Sequence, residues 1–224
     1  MKIAVIGTGK TGGKVVELLG DTLSETFDQS NPPTAEKLKK SDAVIIFVPG
    51  DAVADIIDEV IASGIPAAWG STGHDWPENL EDKVKANNTK WAIASNFSLG
   101  MNIIRKSIEA ISAGSEILKD PEFHIHEVHH IHKKDAPSGT AISWKEWLDR
   151  EAEVTSAREG DVKGIHELTL RTATEEITLR HKALDRALFA EGAIWAAKQL
   201  LNNSNIETGI STFGQLFDQV MEEQ

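Results

Sequence analysis

The chain has 224 residues, 40% of them hydrophobic and 26% charged, which suits a globular protein with a substantial core. Its formal net charge of -12 excludes broad attraction to nucleic acid or to an anionic membrane surface, and the absence of cysteine excludes disulfides, thiolate nucleophiles and cysteine-ligated zinc. We expect a cytoplasmic protein, because no signal-peptide pattern opens the chain and no segment is apolar over the ~18 residues that a membrane helix needs.

Short apolar strands alternate with helices in the first half of the chain. The predicted strands cover 2–7, 25–27, 42–48, 65–69 and 91–95, and the predicted helices cover 13–19 and 51–63. Short loops between these elements indicate a parallel, doubly wound α/β sheet. The loops GTGKTGG, PGDA, GSTG and SNFS follow predicted strands, so they meet at the carboxyl edge of the sheet, where such sheets bind ligands.

The pattern changes after about residue 98. Helices are predicted over 101–118, 141–153 and 187–201, strands over 123–131, 164–172 and 175–182, and a loop over 133–140. Apolar alternation in the last two strands predicts a sheet with one covered face. We therefore expect an α+β insert with a mixed sheet over 99–186.

The loop after the first strand has the pattern G-x-G-x-x-G. Its glycines allow a tight turn and a close approach of the backbone to a pyrophosphate, which the N-terminus of the next helix attracts. The pattern predicts a Rossmann-like dinucleotide site, although a tight strand-to-helix turn without a ligand is the alternative. The candidate cofactor residues of this loop are Gly7, Thr8, Gly9, Lys10, Thr11 and Gly12.

Asp28 lies 21 residues after Gly7, at the end of the second predicted strand. A carboxylate at this place accepts hydrogen bonds from the adenosine ribose hydroxyls, although Asp is also a common turn residue. No Arg or Lys directly follows Asp28. This favours NADH over NADPH.

Five of the eight histidines lie within residues 124–132. A metal site is one interpretation, but the adjacent His129 and His130 would point to opposite faces of a strand and no named zinc spacing is present. We therefore expect no metal. A second interpretation, which suits His124 and His126, is a solvated strand.

The third interpretation is a reductase site, because the histidines lead into a segment suited to an anion. Ser138, Gly139 and Thr140 precede a predicted helix, where hydroxyls and free N–H groups bind a carboxylate. Lys133 and His130 add positive charge, and His129 or Lys133 could supply a proton. Helix capping by Ser138 or Thr140 and a solvated lysine are the alternatives. The residues alone indicate a reductase of an anionic small molecule.

The run H-H-I-H-K-K-D-A-P-S-G-T-A at 129–141 resembles the signature H-H-x-x-K-x-D-A-P-S-G-T of the 4-hydroxy-tetrahydrodipicolinate (dihydrodipicolinate) reductases of lysine and diaminopimelate biosynthesis, and it matches every fixed position. Other segments similar to this family lie at 70–73, 94–102, 158–166 and 181–186. The helix after Arg186 and the tail around 213–220 resemble the part that returns to the cofactor domain, which implies a discontinuous first domain made of 1–98 and 187–224. Thr11 departs from the methionine usual in this family.

The resemblance implies a role for each matching residue. His129 and Lys133 take the positions of proton donors, and the substrate-binding positions fall on His130, Gly139 and Thr140, with Ser138 beside them. Besides the glycine loop and Asp28, the implied cofactor contacts are Gly70, Ser71, Thr72, Ala94, Ser95, Asn96 and Phe97. The implied reaction is hydride transfer from NADH or NADPH to a small dicarboxylate, in a homotetramer joined through the sheet of the substrate domain.

Three other functions are compatible with parts of the sequence. Another Rossmann-fold reductase would not be inhibited by pyridine-2,6-dicarboxylate, a planar substrate mimic, and a non-catalytic dinucleotide sensor would bind NADH without turnover. A metal-binding module built on the histidines would lose thermal stability in chelator. The intact block at 129–141 argues against another reductase, and the presence of both His129 and Lys133 argues against a sensor.

Overall fold

The structure is a computed structural model that describes residues 1–223. The chain divides into two compact units, one made of Met1–Leu99 with the residues from Arg186 onward and the other of Gly100–Asp185. Among the described residues, no helix has the length and apolar character needed to cross a membrane.

The chain forms ten strands and eight helices over the described residues. The strands are β1 (Ile3–Ile6), β2 (Leu23–Phe27), β3 (Ala43–Ile46), β4 (Ala67–Trp69), β5 (Lys90–Ile93), β6 (Glu122–His129), β7 (Glu153–Arg158), β8 (Ile165–Arg171), β9 (Glu176–Lys182) and β10 (Gly209–Thr212). The helices are α1 (Lys10–Leu19), α2 (Ala35–Leu38), α3 (Val53–Ser63), α4 (Leu80–Ala86), α5 (Leu99–Ser115), α6 (Gly139–Leu148), α7 (Ala187–Asn202) and α8 (Phe213–Glu222).

The first unit is a doubly wound parallel sheet with the strand order β10-β5-β4-β3-β1-β2. Successive residues of β1 alternate between two cores: Ile3 and Val5 pack with α1, α7 and α8, while Ala4 and Ile6 pack with α3 and α4. Burial on both faces explains why β1 and β3 are apolar at every position. The Rossmann-like α/β prediction is confirmed.

The second unit contains a four-stranded mixed sheet with the order β7-β6-β8-β9. Strand β6 runs parallel to β7 and antiparallel to β8, which is antiparallel to β9. Helices α5 and α6 cover one face, where Ile108 and Trp144 pack against Ile125 and Leu168. A sheet with one covered face agrees with the apolar alternation of β8 and β9.

The structure corrects several predicted elements. The helix predicted over 141–153 begins two residues earlier and ends at Leu148, because Glu153 already starts β7, a strand the periodicity did not indicate. Ile131, expected inside a strand, lies beyond β6 in a turn. Helices α2 and α4 and strand β10 were also not predicted; each has at most seven residues, too few to establish a period.

Candidate active site

Strand register brings polar side chains together at one end of the covered face of the second sheet. Glu127 on β6 lies opposite Ser156 on β7 and His166 on β8. His129, two residues further along β6, lies opposite Arg158 on β7. Because side chains alternate between faces along a strand, these residues share the face on which Ile125 and Leu168 form the core. The site therefore occupies the polar end of an otherwise apolar surface.

His129 is held by a carboxylate through one ring nitrogen. Its Nδ1 forms a short hydrogen bond with Oε2 of Glu127, whose side chain is fully buried. The other ring nitrogen, Nε2, faces Gly164: a Cβ built on that glycine would lie 3.2 Å from Nε2. The His129 ring is thus fixed on one side and bordered on the other by a residue without a side chain.

Opposing influences act on the protonation of this pair. Burial lowers the pKa of His129, Glu127 raises it, and the positive charges of Lys133 and Arg158 lower it, so that it lies below its ordinary value. Burial raises the pKa of Glu127, but hydrogen bonds from Ser156, Arg158 and His129 outweigh burial and leave it below its usual range. The carboxylate is therefore charged at neutral pH, and the free imidazole is mainly neutral.

Arg158 connects the buried carboxylate to the loop after β6. Its Nη1 donates to Oε1 of Glu127 at 3.0 Å and to the carbonyl of Ala157 at 2.7 Å. Its Nε donates to the carbonyl of Lys133 at 3.3 Å, and its Nη2 donates to the carbonyl of Asp135. One guanidinium therefore links Glu127 with the backbone on both sides of Lys134.

Lys133 lies in this loop and is partly buried. Its Nζ donates to both carboxylate oxygens of Asp135, at 2.9 and 2.8 Å. The hydrogen bond from Lys133 lowers the pKa of Asp135, which is exposed. The turn is closed by a hydrogen bond of 3.1 Å from the Lys133 amide to the carbonyl of His130. An ammonium group and the His129 ring thus belong to one connected set of residues.

Ser138 caps α6 and is buried. Its Oγ accepts from the amide of Ala141 at 3.2 Å and is 3.1 Å from Nε2 of His166. Burial is the main cause that lowers the pKa of His166 to about 4, and the nearby His129 is the second cause. The His166 ring is therefore neutral at neutral pH. The amides of Gly139 and Thr140 are at the start of α6, where N–H groups have no carbonyl partner within the helix. They are the groups of this helix best placed for an anion.

The remaining histidines of the cluster have different surroundings. His124 and His126 lie on the opposite face of β6 and both contact Oγ1 of Thr155, at 2.8 Å each. His132 is exposed. His130 lies just beyond β6, and its buried Nδ1 has no hydrogen-bond partner among residues 1–223. His130 is therefore the member of the cluster with a buried ring nitrogen that none of residues 1–223 satisfies.

Glu127, His129 and His166 also form a group whose ligand atoms lie within 4.8 Å of one another, close enough in principle to share a metal ion. The carboxylate of Glu127 already accepts from His129 and from the guanidinium of Arg158, which places a fixed positive charge 3.0 Å from one of its oxygens. That charge opposes a cation at the same carboxylate. The donor set fits a hydrogen-bonded network better than a metal site.

The glycine loop of the first unit fits a dinucleotide pyrophosphate. A Cβ on Gly7 would lie 2.2 Å from the carbonyl oxygen of Phe47, and one on Gly12 would lie 1.8 Å from the carbonyl oxygen of Gly7, so both positions require glycine. A Cβ on Gly9 would meet no atom within 4 Å, which leaves open space in front of the first turn of α1. The early amides of α1 and the exposed side chains of Thr8 and Lys10 border that space.

The other predicted cofactor residues lie at the same edge of the sheet, after β4 and β5. Gly70 packs on the ring of Phe47, and Ser71 is buried and accepts a hydrogen bond of 3.2 Å from the Val48 amide, whereas Thr72 is exposed. After β5, Ala94 and Asn96 are half-buried and Ser95 is exposed. The side chain of Phe97 is 1% exposed and belongs to the core, so only its backbone can contact a ligand.

Asp28 directly follows β2 and is exposed. Its Oδ1 accepts from the amide and the hydroxyl of Ser30, at 2.8 and 2.6 Å, and from the amide of Asn31 at 3.1 Å. These hydrogen bonds, with the Ser30 hydroxyl first, lower the pKa of Asp28. The turn therefore fixes one oxygen of a charged carboxylate, and no described residue occupies Oδ2.

Four residues of the substrate half were given no role from the sequence, although the last three lie in the segment 158–166 that resembles the family: Glu127, Arg158, Gly164 and His166. Glu127 could have been found from its i, i+2 spacing to His129, which puts both on one face of a strand. The contacts of Arg158 and His166 depend on strand pairing, which no local pattern specifies.

Comparisons with known proteins agree with this architecture. The family model "Dihydrodipicolinate reductase, C-terminus" matches residues 100–214. A 4-hydroxy-tetrahydrodipicolinate reductase of Natronomonas pharaonis is 32% identical over 239 residues, covering 91% of this chain and 96% of the relative. Another, from Bdellovibrio bacteriovorus, is 33% identical, covering 75% of this chain and 73% of the relative. The dipicolinate-bound dihydrodipicolinate reductase of Paenisporosarcina sp. TG-14 has the same fold, with a TM-score of 0.75 at 18% identity over 95% of this chain and 97% of that one.

Proposed function

The chain belongs to the 4-hydroxy-tetrahydrodipicolinate reductase family, and we propose that it carries out the family's reaction with His129 and Lys133 as its two proton donors. The reaction is the nicotinamide-dependent reduction of 4-hydroxy-tetrahydrodipicolinate to tetrahydrodipicolinate in lysine biosynthesis. The observation that carries the residue assignment is the hydrogen-bonded set that connects the ring of His129, through Glu127 and Arg158, to the backbone carbonyl of Lys133.

The reaction adds one hydride and one proton to the substrate and releases one water. The reduced nicotinamide supplies the hydride when bound. The proton must come from the protein or from solvent, and it goes to the ring carbon next to the one that receives the hydride. An imidazole and an ammonium are the groups of this site that can deliver it, because a protonated His129 ring and the side chain of Lys133 both carry exchangeable N–H protons.

We assign the carboxylates of the substrate to the loop and helix that follow β6. The amides of Gly139 and Thr140 at the start of α6, the hydroxyl of Thr140 and the ring of His130 provide donors. Ser138 supports them from beneath as the helix cap. A chain with a net charge of -12 needs such a local concentration of donors and positive charge to hold a dianion.

NADH is the cofactor that the site favours. Asp28 presents a charged carboxylate after β2, which accepts hydrogen bonds from ribose hydroxyls and repels the additional phosphate of NADPH. The residues that follow, Gln29 and Ser30, carry no positive charge. Catalytic efficiency with NADPH equal to or above that with NADH would contradict this preference.

The proposed function is tested by following loss of NADH absorbance with freshly generated 4-hydroxy-tetrahydrodipicolinate. We expect the wild type to oxidise NADH and Lys133→Ala and His129→Gln each to lower turnover by about 10²-fold or more, because each removes a positioned proton donor. His132→Gln is the matched control: it alters an exposed histidine of the same cluster and should retain wild-type turnover. Near-normal turnover in His129→Gln or Lys133→Ala would remove that residue from the mechanism.

A further inference from the structure

We propose that Glu127 is the positioning residue of this site: its carboxylate holds Nδ1 of His129, so that Nε2 is the atom that exchanges the proton, and Arg158 ties the carboxylate to the loop that carries Lys133. This proposal rests on the proposed function of His129 and Lys133 as proton donors. It adds an assignment for two residues outside the signature at 129–141 and chooses one nitrogen of the ring.

The burial of Glu127 requires a reason, because an apolar side chain at this position would be buried without the desolvation cost of a carboxylate. A carboxylate with a fully buried side chain loses its hydration, and it is retained only where other groups replace the water. Here Nδ1 of His129 approaches one oxygen and the guanidinium of Arg158 the other. One of these neighbours is a proposed proton donor, and the other contacts the loop that carries Lys133. The groups that replace the hydration of Glu127 are therefore groups whose positions matter for catalysis.

The contact with Glu127 determines which ring nitrogen of His129 carries the fixed proton. A charged carboxylate can only accept, so Nδ1 must donate to it, and the neutral ring then has its lone pair on Nε2. Protonation of the ring adds the second proton at Nε2, and that proton is the one available for transfer. No residue among 1–223 forms a hydrogen bond with Nε2, and the absent side chain of Gly164 leaves room beside it.

Arg158 also fixes the backbone around Lys133, the second proposed proton donor. Its hydrogen bonds to the carbonyls of Lys133 and Asp135 bracket one turn of the loop, while its Nη1 remains on Glu127. Lys133 and Asp135 also pair through their side chains. A displacement of the carboxylate therefore disturbs both the ring of His129 and the backbone that aims Lys133.

Glu127 also affects the pKa of His129, and therefore the pH at which the ring is protonated. The charged groups that face His129 are Glu127 on its own strand, Arg158 on β7 and Lys133 on the loop, with the neutral ring of His166 on β8 at a centroid distance of 5.1 Å. Glu127 is the one negative group in this set and opposes burial and two positive charges. Its neutralisation would lower the pKa of His129 further.

The test compares Glu127→Gln with Glu116→Gln. Glu116 is exposed and its Oε1 pairs with Nη2 of Arg150 at 2.7 Å in the same unit, so its variant is a matched control for loss of one carboxylate. We expect Glu127→Gln to lower kcat by at least about 10-fold and to move the alkaline decline of kcat to lower pH, because His129 is then protonated only at lower pH. KM and the Kd for NADH should change little. A merely structural role would reduce the active fraction at all pH values without moving the profile.

A nitrogen-15 NMR titration of the His129 ring tests the positioning without substrate. His129→Gln identifies the signals, and the wild type should have the Nδ1–H tautomer and a higher pKa than Glu127→Gln. If Glu127→Gln does not fold, the tautomer of the wild type still decides the question: an Nε2–H tautomer overturns the proposal. Unchanged kcat and pH profile in folded Glu127→Gln also overturn it. The expected NMR result without NADH oxidation by the wild type would instead reject the proposed function and leave the positioning intact.

Discussion

His166 is the residue whose burial has the clearest thermodynamic consequence. It is 4% exposed, its Nε2 contacts Ser138, and burial lowers its pKa to about 4. In the unfolded chain the pKa returns to about 6.5, so the unfolded state binds a proton over a pH range in which the folded state does not. The stability that follows from the neutral ring is complete above pH ~6.5 and is lost as the pH falls towards 4.

This difference predicts a specific loss of stability in mild acid. Between pH 7 and pH 5 the contribution of His166 to the free energy of unfolding should fall by about 2 kcal/mol, and His166→Gln should lose this part of the pH dependence. Denaturant unfolding at several pH values measures the slope. His132→Gln, which alters an exposed histidine, should keep the wild-type slope. An equal slope in His166→Gln and the wild type would show that the ring is protonated in the folded state.

The site residues that could be predicted from the sequence are those that one short segment holds together. His129, Lys133 and Ser138 lie within ten residues, so spacing and local chemistry identify them as a group. Glu127 supports His129 through the alternation of a strand, whereas Arg158 and His166 reach the site because β7 and β8 pair with β6. Register depends on the whole sheet, and for this reason these contacts required the structure.

At the scale of elements, α6 connects stability with substrate binding. Its cap, Ser138, satisfies the amide of Ala141 and contacts His166, while the preceding loop carries Lys133. The first amides of the helix remain directed towards the position that we assign to a substrate carboxylate. Loss of the cap should therefore loosen the part of the helix that binds the anion, even though Ser138 itself is buried.

Ser138→Ala tests this connection. We expect a destabilisation of about 1 kcal/mol, typical for loss of a helix cap, together with an increase of KM for the substrate that exceeds any change in the Kd for NADH. The control is Thr212→Ala, which removes the capping box of α8 in the first unit. It should cost a similar free energy of unfolding and leave the substrate KM unchanged. Equal KM values in both variants would mean that α6 does not bind the substrate.

Burial accounts for several of the accurately predicted elements, although β9 was predicted from its alternation and has no buried residue. Strands β1 and β3 are buried at every position, and helix α3 presents Ile56, Ile57 and Val60 to the core, so their periods are plain in the sequence. Strand β7, EVTSAR, has no buried residue and takes its extended conformation from its pairing with β6. Strand β10 is a four-residue addition beside β5. Elements formed by their neighbours leave no periodic signal of their own.

At the scale of the molecule, the first unit is completed by chain that returns after the second. Helix α7 supplies Ala190, Ala193 and Ala197 to the same core as β1, and β10 extends the sheet beside β5. A Cβ on Gly192 would lie 1.6 Å from the carbonyl oxygen of Phe97, so α7 packs directly on backbone of this unit. The return was predicted from the resemblance of the tail. The close packing of small residues was not, because a run of alanines indicates a helix without indicating its partner.

The second sheet gives the reason to expect assembly. Its covered face carries the core and the site, whereas no helix of the same unit, among the described residues, packs on the face that holds His124, Thr155 and Thr169. An uncovered sheet face in the substrate domain is the surface through which we propose that the chain forms its homotetramer.

Light scattering should then give a mass about four times that of one chain. Thr169→Arg, in the middle of this face, should lower that mass, because a buried charge without a partner opposes association. Thr174→Arg, in the exposed turn between β8 and β9, is the matched control and should remain assembled. A wild-type monomer with full reductase activity would contradict the assembly and leave the proposed chemistry of each chain unaffected.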